Sequence, residues 1–460
     1  MTEVCPFRGI RYNQEMVKDL AGVICPPYDI ITPRQQKHYY ERSDYNAIQL
    51  EHPLPAGCER GAKQSNHNKY SRAAIALQQW LKKGVLRVDD YPAFYLHDHY
   101  FAYLGERRRR RGLIARVRLE PWYNGIYPHE ETLSKVKSDR LQLMRACQAN
   151  FSPLFVLYQD SREEVAQILS EASQDEPIID LTLNSSPSKG ACPSEGEEHI
   201  VWAITEPKFT HQISELLAPQ PLYMADGHHR YETALAYQQE RVSGYCHCEA
   251  QGAEAISKKA FNYVMMTLVN FSDPGLVIFP IHRLVRGIAP STLAGLKKQL
   301  ENFFTLEFIP LSGGLITSLK HSEKLLYCHS ERSEESRPFA IAQGMLLGIL
   351  GLESQSVALV RQRQGISLVD MMPKNRSQAY NNFNVSLLNH LILDRMLGVA
   401  PDSEDIAYTV DVDETCQQIK EGKYQLAFLL SPSQPEMVKA IADAKDRMPR
   451  KSTYFYPKLP

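Results

Sequence analysis

The sequence predicts a mixed α/β (α+β) fold, and three observations favour it. Short apolar runs typical of strands recur from Ala93–Leu104 to Tyr424–Leu430, and segments with helical apolar spacing lie between them. Strands and helices alternate irregularly, which favours a mixed architecture over an all-α or all-β one. The chain shows no fixed-period repeat, so a solenoid is not expected.

The strongest periodic segments place the elements along the chain. Helices are predicted over Tyr70–Lys83, Asp139–Asn150, Phe209–Leu217, Thr292–Phe303, Leu387–Leu397 and Glu436–Asp446. Strands are predicted over Ala93–Leu104, Ile114–Leu119, Leu154–Tyr158, Ile178–Leu183, Ile200–Thr205, Leu222–Ala225 and Tyr424–Leu430. The first two strands should form a hairpin, with GERRRRRG as its turn.

The domain organisation is expected to be a single unit over residues 1–460. A division into a motif-bearing α/β domain, 1–290, and a C-terminal α/β portion, 291–460, is the alternative. Cys328–Pro338, CHSERSEESRP, is charged and serine-rich and cannot bury apolar surface. It is therefore predicted to be a loop insertion.

Composition and charge exclude several protein classes. Of the 460 residues, 43% are hydrophobic and 23% charged, close to globular averages, which excludes a disordered chain, a collagen-like fibre and a coiled-coil rod. Lys and Arg number 52 against 53 Asp and Glu. A dedicated nucleic-acid binder would show a basic excess, so nucleic acid is not an expected partner.

The sequence also predicts a cytoplasmic protein without a membrane anchor. Its longest apolar stretch, Met345–Leu352, is far shorter than the roughly 20 residues that span a bilayer. The N-terminus lacks the apolar core of a signal peptide. The nine cysteines are an odd number and scattered, which favours reduced thiols over a disulfide framework.

The segment Ala225–Tyr231, ADGHHRY, is the strongest local signal for chemistry. A short apolar strand ends at Asp226 and Gly227, and His228, His229 and Arg230 then occupy the first turn of a helix. A helix N-terminus presents free N–H groups and a partial positive charge, which suit a phosphate. The alternative is that Asp226 only caps the helix and pairs with the histidines.

The second signal is His129-Glu130-Glu131-Thr132, followed by the basic residues Lys137 and Arg140. Closely spaced His and acidic residues can perform general acid–base catalysis or bind a metal, although the HExxH spacing of zinc peptidases is absent. The alternative is an exposed charged loop before a helix.

Three further segments are weaker. Lys451-Ser452 resembles the end of a P-loop without its glycines, so it either contacts an anion or belongs to an aromatic-packed tail. Arg107–Arg111 is interpreted as a solvated turn rather than a nucleic-acid contact. Cys246-His247-Cys248 is interpreted as a loop with free thiols, because a single C-x-C lacks a second ligand pair.

Four segments together resemble one family. They are Ile24–Ile31 (ICPPYDII), His129–Tyr158, Ala225–Leu235 (ADGHHRYETAL) and Met448–Pro460 (MPRKSTYFYPKLP). The chain looks like a member of the bacterial and archaeal family catalogued as domain of unknown function 1015. It differs by the serine-rich insertion after Cys328 and by ending at Pro460, where family members usually continue, which predicts a shortened last strand or tail.

The DGHHR core is similar to the phosphate-binding motif of the ParB/sulfiredoxin superfamily, which includes nucleotide-dependent free serine kinases. The resemblance implies a ParB/sulfiredoxin-like element around the DGHHR helix start, plus additional α/β layers. It implies that Asp226, His228, His229 and Arg230 hold nucleotide phosphate.

The leading functional hypothesis is phosphoryl transfer on a small metabolite, such as serine or phosphoserine, with ADP or ATP and Mg²⁺. The expected catalytic residues are Glu130, His129 and Asp226. The expected phosphate- or nucleotide-binding residues are Gly227, His228, His229, Arg230, Lys137, Arg140, Lys451 and Ser452. The alternatives are a metal-dependent phosphohydrolase with Asp226, His228 and His229 as ligands, and a non-enzymatic ParB-like module that binds nucleotide or nucleic acid.

Overall fold

A computed structural model describes most of the chain and confirms the mixed α/β class. The described residues are 2–54, 68–103, 105–131, 134–183, 196–246, 259–311 and 346–459. The predicted insertion Cys328–Pro338 lies outside them. No helix in these ranges is both long and apolar enough to cross a membrane.

The strands and helices of these ranges are numbered in chain order. The strands are β1 (Val4–Cys5), β2 (Ile10–Tyr12), β3 (Leu86–Val88), β4 (Phe94–Tyr103), β5 (Glu106–Arg118), β6 (Ile126–Tyr127), β7 (Leu154–Tyr158), β8 (Ile179–Leu183), β9 (Glu197–Ile204), β10 (Leu222–Asp226), β11 (Tyr263–Asn270), β12 (Val277–Phe279), β13 (His282–Val285), β14 (Phe304–Pro310), β15 (Leu346–Leu350), β16 (Ser356–Gln362), β17 (Ile406–Thr409), β18 (Leu426–Leu430) and β19 (Tyr454–Tyr456). The α-helices are α1 (Pro33–Arg42), α2 (Ile48–Glu51), α3 (Lys69–Lys82), α4 (Ser134–Cys147), α5 (Glu164–Ala172), α6 (Pro207–Leu217), α7 (His228–Cys246), α8 (Pro290–Glu301), α9 (Gln378–Asn381), α10 (Asn384–Leu387), α11 (Val412–Lys420) and α12 (Pro435–Asp443). Three short 3₁₀ helices cover Tyr28–Ile30, Ala260–Asn262 and Val369–Met371.

Two large sheets organise the molecule. The first has nine strands in the order β6-β10-β7-β11-β5-β4-β9-β8, with β1 on β5, and the second has six in the order β14-β16-β15-β18-β13-β17. In the first sheet β10 is parallel to β6 but antiparallel to β7, so the sheet is mixed. The last strand, β19, pairs with β12 in a separate ribbon.

Both sheets contribute to one hydrophobic core. Phe155 and Tyr223 of the first sheet, Ile349 and Phe428 of the second, and Phe455 of the ribbon belong to the same buried cluster. The C-terminal segment is therefore packed against β7 and β10 of the first sheet. The division into 1–290 and 291–460 stays a prediction.

Several sequence-based expectations need correction. The predicted hairpin forms, but its turn is at Gly105, and Arg107–Arg111 lie in β5 rather than in a solvated turn. The helix predicted from Asp139 begins at Ser134, so Asp139 is not at its start and instead bonds Lys69 Nζ at 2.6 Å. The helix predicted over Leu387–Leu397 forms, and its residues Leu388–Met396 are a π-helix.

The strand conformation of the arginine run follows from its partners. Arg111 donates two hydrogen bonds to Asp98 at 2.7 Å, and Arg107 pairs with Glu198 and packs over the Tyr100 ring. Arg110 is 1% exposed. Arg110 and Arg111 are thus engaged within the sheet, whereas Arg107 and Arg109 are exposed to solvent.

Candidate functional site

The candidate site lies where β10 ends and α7 begins. Opposite Phe155 of β7, the register of β10 shifts between Met224 and Asp226. Gly227 follows with φ +99°, and a Cβ there would lie 2.7 Å from Leu154 Cδ2. Only glycine fits this position without strain. The turn leads directly into the first turn of α7.

The HEET and DGHH segments meet at His228. Its Nε2 accepts hydrogen bonds from the backbone N–H groups of His129, at 3.2 Å, and Glu130, at 3.4 Å. The imidazole proton must therefore reside on Nδ1. Burial lowers the pKa of His228 well below its ordinary value, so the ring is neutral. In this structure His228 fixes the backbone of the acidic segment, and its Nδ1–H is the donor that a ligand could use.

His129 links β10 to the C-terminal segment. Its Nδ1 donates to the Met224 carbonyl at 2.6 Å, and its Nε2 accepts from Thr453 Oγ1 at 3.0 Å. Burial lowers the pKa of His129 to about 4, although the Met224 hydrogen bond opposes the shift. Both ring nitrogens are engaged, which is the geometry of a residue that positions its neighbours.

Glu130 is held at the crossing of the same two segments. Its Oε1 accepts from the Lys451 backbone N–H at 2.9 Å, and its carbonyl accepts from Arg447 Nη1 at 2.7 Å. Burial raises the pKa of the Glu130 carboxyl, and Asp226 adds to this effect, while Lys451 and His229 oppose it. A carboxylate with a raised pKa beside a helix N-terminus can accept a proton from a substrate.

Asp226 forms an ion pair that the sequence did not predict. Its Oδ2 lies 2.8 Å from Lys458 Nζ and 4.0 Å from Arg230 Nη2. Burial disfavours the charged form of Asp226, but the charges of Lys458 and Arg230 outweigh it and lower the pKa to about 2. Asp226 is therefore an ionised anchor and not a proton acceptor near neutral pH. The one sequence signal for Lys458 is a lone cation in the aromatic segment YFYPK.

The other predicted phosphate ligands differ in their exposure and in their hydrogen bonds. Arg230 Nη1 donates to the Ser152 and Pro153 carbonyls at 3.1 and 3.0 Å. Lys451 has an exposed side chain, whereas the buried Ser452 hydroxyl donates to the Pro449 carbonyl. His229 is half-buried in the first turn of α7.

The two predicted phosphate ligands on α4, Lys137 and Arg140, are not shown at the site. Arg140 is buried, donates to the Glu51 carbonyl at 2.7 Å and packs 4.0 Å from the Tyr28 ring centroid. It thereby supports the ICPPYDII loop. Lys137 lies in α4, but its side chain is outside the described residues, as are His247 and Cys248.

A cleft lies beside these residues, and all four motif segments line it. Its walls are Pro27, Ser152, Pro153, Phe155, Asp226, Arg230, Phe455, Pro457, Lys458 and Leu459. The space within it is about 10 Å³, about that of one water molecule, so a bound phosphate requires the lining side chains to move. One carboxylate and two cations face it, so it suits a phosphate group better than a neutral ligand. Glu130 is adjacent but not part of this lining.

The Asp226 ion pair predicts a pH dependence of stability. The folded pKa of about 2 lies below the ordinary value of 3.8, so the unfolded chain binds the proton first as the pH falls. The pair's contribution is complete above pH 4 and is lost as the pH falls towards 2. The free energy of unfolding, measured with urea, should fall more between pH 5 and pH 3 for the wild type than for Asp226→Asn. An equal fall in the free energy of unfolding of the two proteins would contradict a stabilising ion pair at Asp226.

Comparisons with known proteins identify the family. The family model described as "Protein of unknown function (DUF1015)" matches residues 4–359. No curated protein matches.

Solved structures give a much weaker likeness. A conserved hypothetical protein from Pyrococcus furiosus is 10% identical, with 76% of this chain and 92% of that chain covered and a TM-score of 0.29. A free serine kinase in complex with AMP is 11% identical, with 75% and 86% covered and a TM-score of 0.29. A mutant free serine kinase in complex with ADP is 10% identical, with 75% and 87% covered and a TM-score of 0.30. These scores are too low for the likeness to assign a role to any residue here.

Proposed function

We propose that this protein, which belongs to the DUF1015 family, transfers a phosphoryl group between a nucleotide, ADP or ATP, and a small hydroxyl metabolite of the serine or phosphoserine type. One observation carries the proposal: the backbone N–H groups of His129 and Glu130 bond His228 Nε2. This contact places a partly buried carboxyl beside a helix N-terminus with cations on its flank. Phosphoryl transfer requires little more than positioning and charge neutralisation.

The geometry supports the following roles. Arg230, Lys458 and the N-terminus of α7 would hold the nucleotide phosphates in the cleft. The substrate hydroxyl would lie between the cleft and Glu130, which takes its proton as the oxygen attacks the terminal phosphorus. The new O–P bond forms as the bond to the leaving phosphate breaks, and the cations stabilise the charge that develops there.

Among the residues that line the cleft, Asp226 would supply a carboxylate oxygen to Mg²⁺. Lys458 and Arg230 both face its Oδ2, and no described residue bonds its Oδ1. One carboxylate together with substrate phosphates is a common way to bind Mg²⁺. When bound, the ion would neutralise phosphate charge.

The alternatives gain less from the structure. Among the described residues, Asp226, His228 and His229 do not form a group of three converging ligand atoms, which the phosphohydrolase hypothesis requires. The similarity to ParB/sulfiredoxin proteins remains a prediction from the DGHHR motif. Serine is chosen as the first acceptor to test because of that similarity.

Nucleotide binding can be tested by thermal denaturation. ADP or ATP at about 100 times its dissociation constant should stabilise the wild type by roughly 2.7 kcal/mol, and adenosine should not. Arg230→Ala and Lys458→Met should each lose most of the shift, measured against the variant's own melting temperature. Arg145→Ala, which removes an exposed ion pair with Glu240, should retain it. Equal nucleotide-induced shifts of the melting temperature in Arg230→Ala, Lys458→Met and the wild type would show that the nucleotide does not bind in the cleft.

A further inference from the structure

A second polar cluster lies in the first sheet, on β4 and β9. His97 and His99 are two residues apart on β4, so both imidazoles project from the same face of the sheet. His199 of β9 is the cross-strand partner of His99. Glu197 lies two residues before His199 and shares its face. The three histidines are only 7%, 1% and 4% exposed. Neither the family description nor the proposed reaction uses this cluster.

The polar contacts of the cluster leave one nitrogen without a partner. His97 Nε2 lies 3.0 Å from His199 Nδ1, and His99 Nε2 lies 2.9 Å from Glu197 Oε2. His199 Nε2 is buried, 3.9 Å from Glu197 Oε2, and has no hydrogen-bond partner among the described residues. A buried polar atom needs a partner, and this nitrogen lies near Glu197 and His99, so it is available to a ligand that the three residues share.

We propose that His99, Glu197 and His199 bind a divalent first-row transition-metal ion. Each offers one ligand atom, and these atoms lie within 4.8 Å of one another. Two imidazoles and one carboxylate are a donor set for zinc or ferrous iron, and they leave coordination positions open. The Glu197 side chain is 35% exposed, which gives the ion a route from solvent. This site does not depend on the proposed phosphoryl transfer.

His97 contacts one of the proposed ligands, His199, without being a ligand itself. Through its contact with His199 Nδ1 it fixes the orientation of that ring, as a hydrogen-bond partner of a metal-binding histidine does.

The hydrogen bond and the charge of Arg110 both disfavour binding of the ion, so a substitution of Arg110 tests the proposal. Its Nη2 donates to His99 Nδ1 at 3.2 Å, so without metal His99 carries its proton on Nε2 and donates it to Glu197. When the ion takes Nε2, this proton must move to Nδ1, and the Arg110–His99 bond must open. Arg110 would keep its shorter hydrogen bond, 2.7 Å, to the Pro457 carbonyl. The guanidinium charge also repels a cation.

The experiment is titration calorimetry of the full-length, chelator-treated protein with Zn²⁺. One ion should bind per chain, and His199→Ala and Glu197→Gln should each weaken binding at least about 100-fold. Glu197→Gln preserves shape at a half-exposed position, so it stays informative if His199→Ala fails to fold. His211→Ala, in an exposed His–Glu pair on α6, is the control and should bind like the wild type.

Two further measurements distinguish this site from others. Arg110→Gln, which removes the charge but keeps a donor for Pro457, should bind Zn²⁺ roughly tenfold more tightly. Co²⁺ should give the visible absorption of nitrogen and oxygen coordination. Absence of Zn²⁺ binding, unchanged binding in Glu197→Gln, weaker binding in Arg110→Gln, or a thiolate charge-transfer band with Co²⁺ would each overturn the proposal.

Discussion

Glu130→Gln is expected to retain nucleotide affinity while turnover falls by about 10²–10⁴-fold, the usual cost of losing a general base. Glutamine keeps the oxygen that accepts from the Lys451 N–H at 2.9 Å, so the segment should stay in place. It cannot take a proton from the substrate. Nucleotide affinity by calorimetry and phosphoserine formation under saturating nucleotide measure the two effects separately.

The matched control is Glu131→Gln, the exposed neighbour in the sequence, which should retain wild-type turnover. Because the pKa of Glu130 is raised by burial, wild-type turnover should also increase as the pH rises through that pKa. Full turnover in Glu130→Gln would refute its assignment as the base.

Gly227→Ala should lower the free energy of unfolding by about 2–4 kcal/mol. Its φ of +99° is strained for alanine, and the added Cβ would lie 2.7 Å from Leu154 Cδ2. Leu154 is 1% exposed, so its side chain must repack within the core to make room. Strained backbone costs about 1–3 kcal/mol and an overpacked core a similar amount. Urea denaturation measures the loss.

Gly84→Ala separates the two contributions. Gly84 has φ +74°, but a Cβ there would meet nothing within 4 Å, so only the backbone strain remains. Its loss of stability should be clearly smaller than that of Gly227→Ala. Similar losses in the two variants would mean that close packing behind the DGHHR turn contributes nothing.

Much of the fold was accessible from local sequence patterns. LFVLY is apolar throughout and forms the fully buried β7, and the helical spacing of Tyr70–Lys83 matches α3 within one residue at each end. The arginine run was misjudged because its strand conformation depends on distant partners. Asp98 and Glu198 lie on neighbouring strands, and no local pattern reveals that they pair with Arg111 and Arg107.

The candidate site shows the same limit. The turn at Gly227 and the helix after it follow from ADGHHRY itself. The meeting of His129 with His228 depends on β6 lying beside β10, and the ion pair between Asp226 and Lys458 joins residues 232 positions apart. The buried roles of Ser452 and Arg140 likewise depend on packing rather than on residue type.

The most direct test of the central claim is phosphate transfer itself. Serine would be incubated with Mg²⁺ and with ADP or ATP that carries a labelled terminal phosphate, and the reverse reaction would start from phosphoserine. The proposed mechanism predicts labelled phosphoserine with the wild type and Glu131→Gln, and its loss with Glu130→Gln. Absence of transfer in both directions, together with retention of duplex DNA that declines steeply with salt, would contradict the enzyme and favour the ParB-type module.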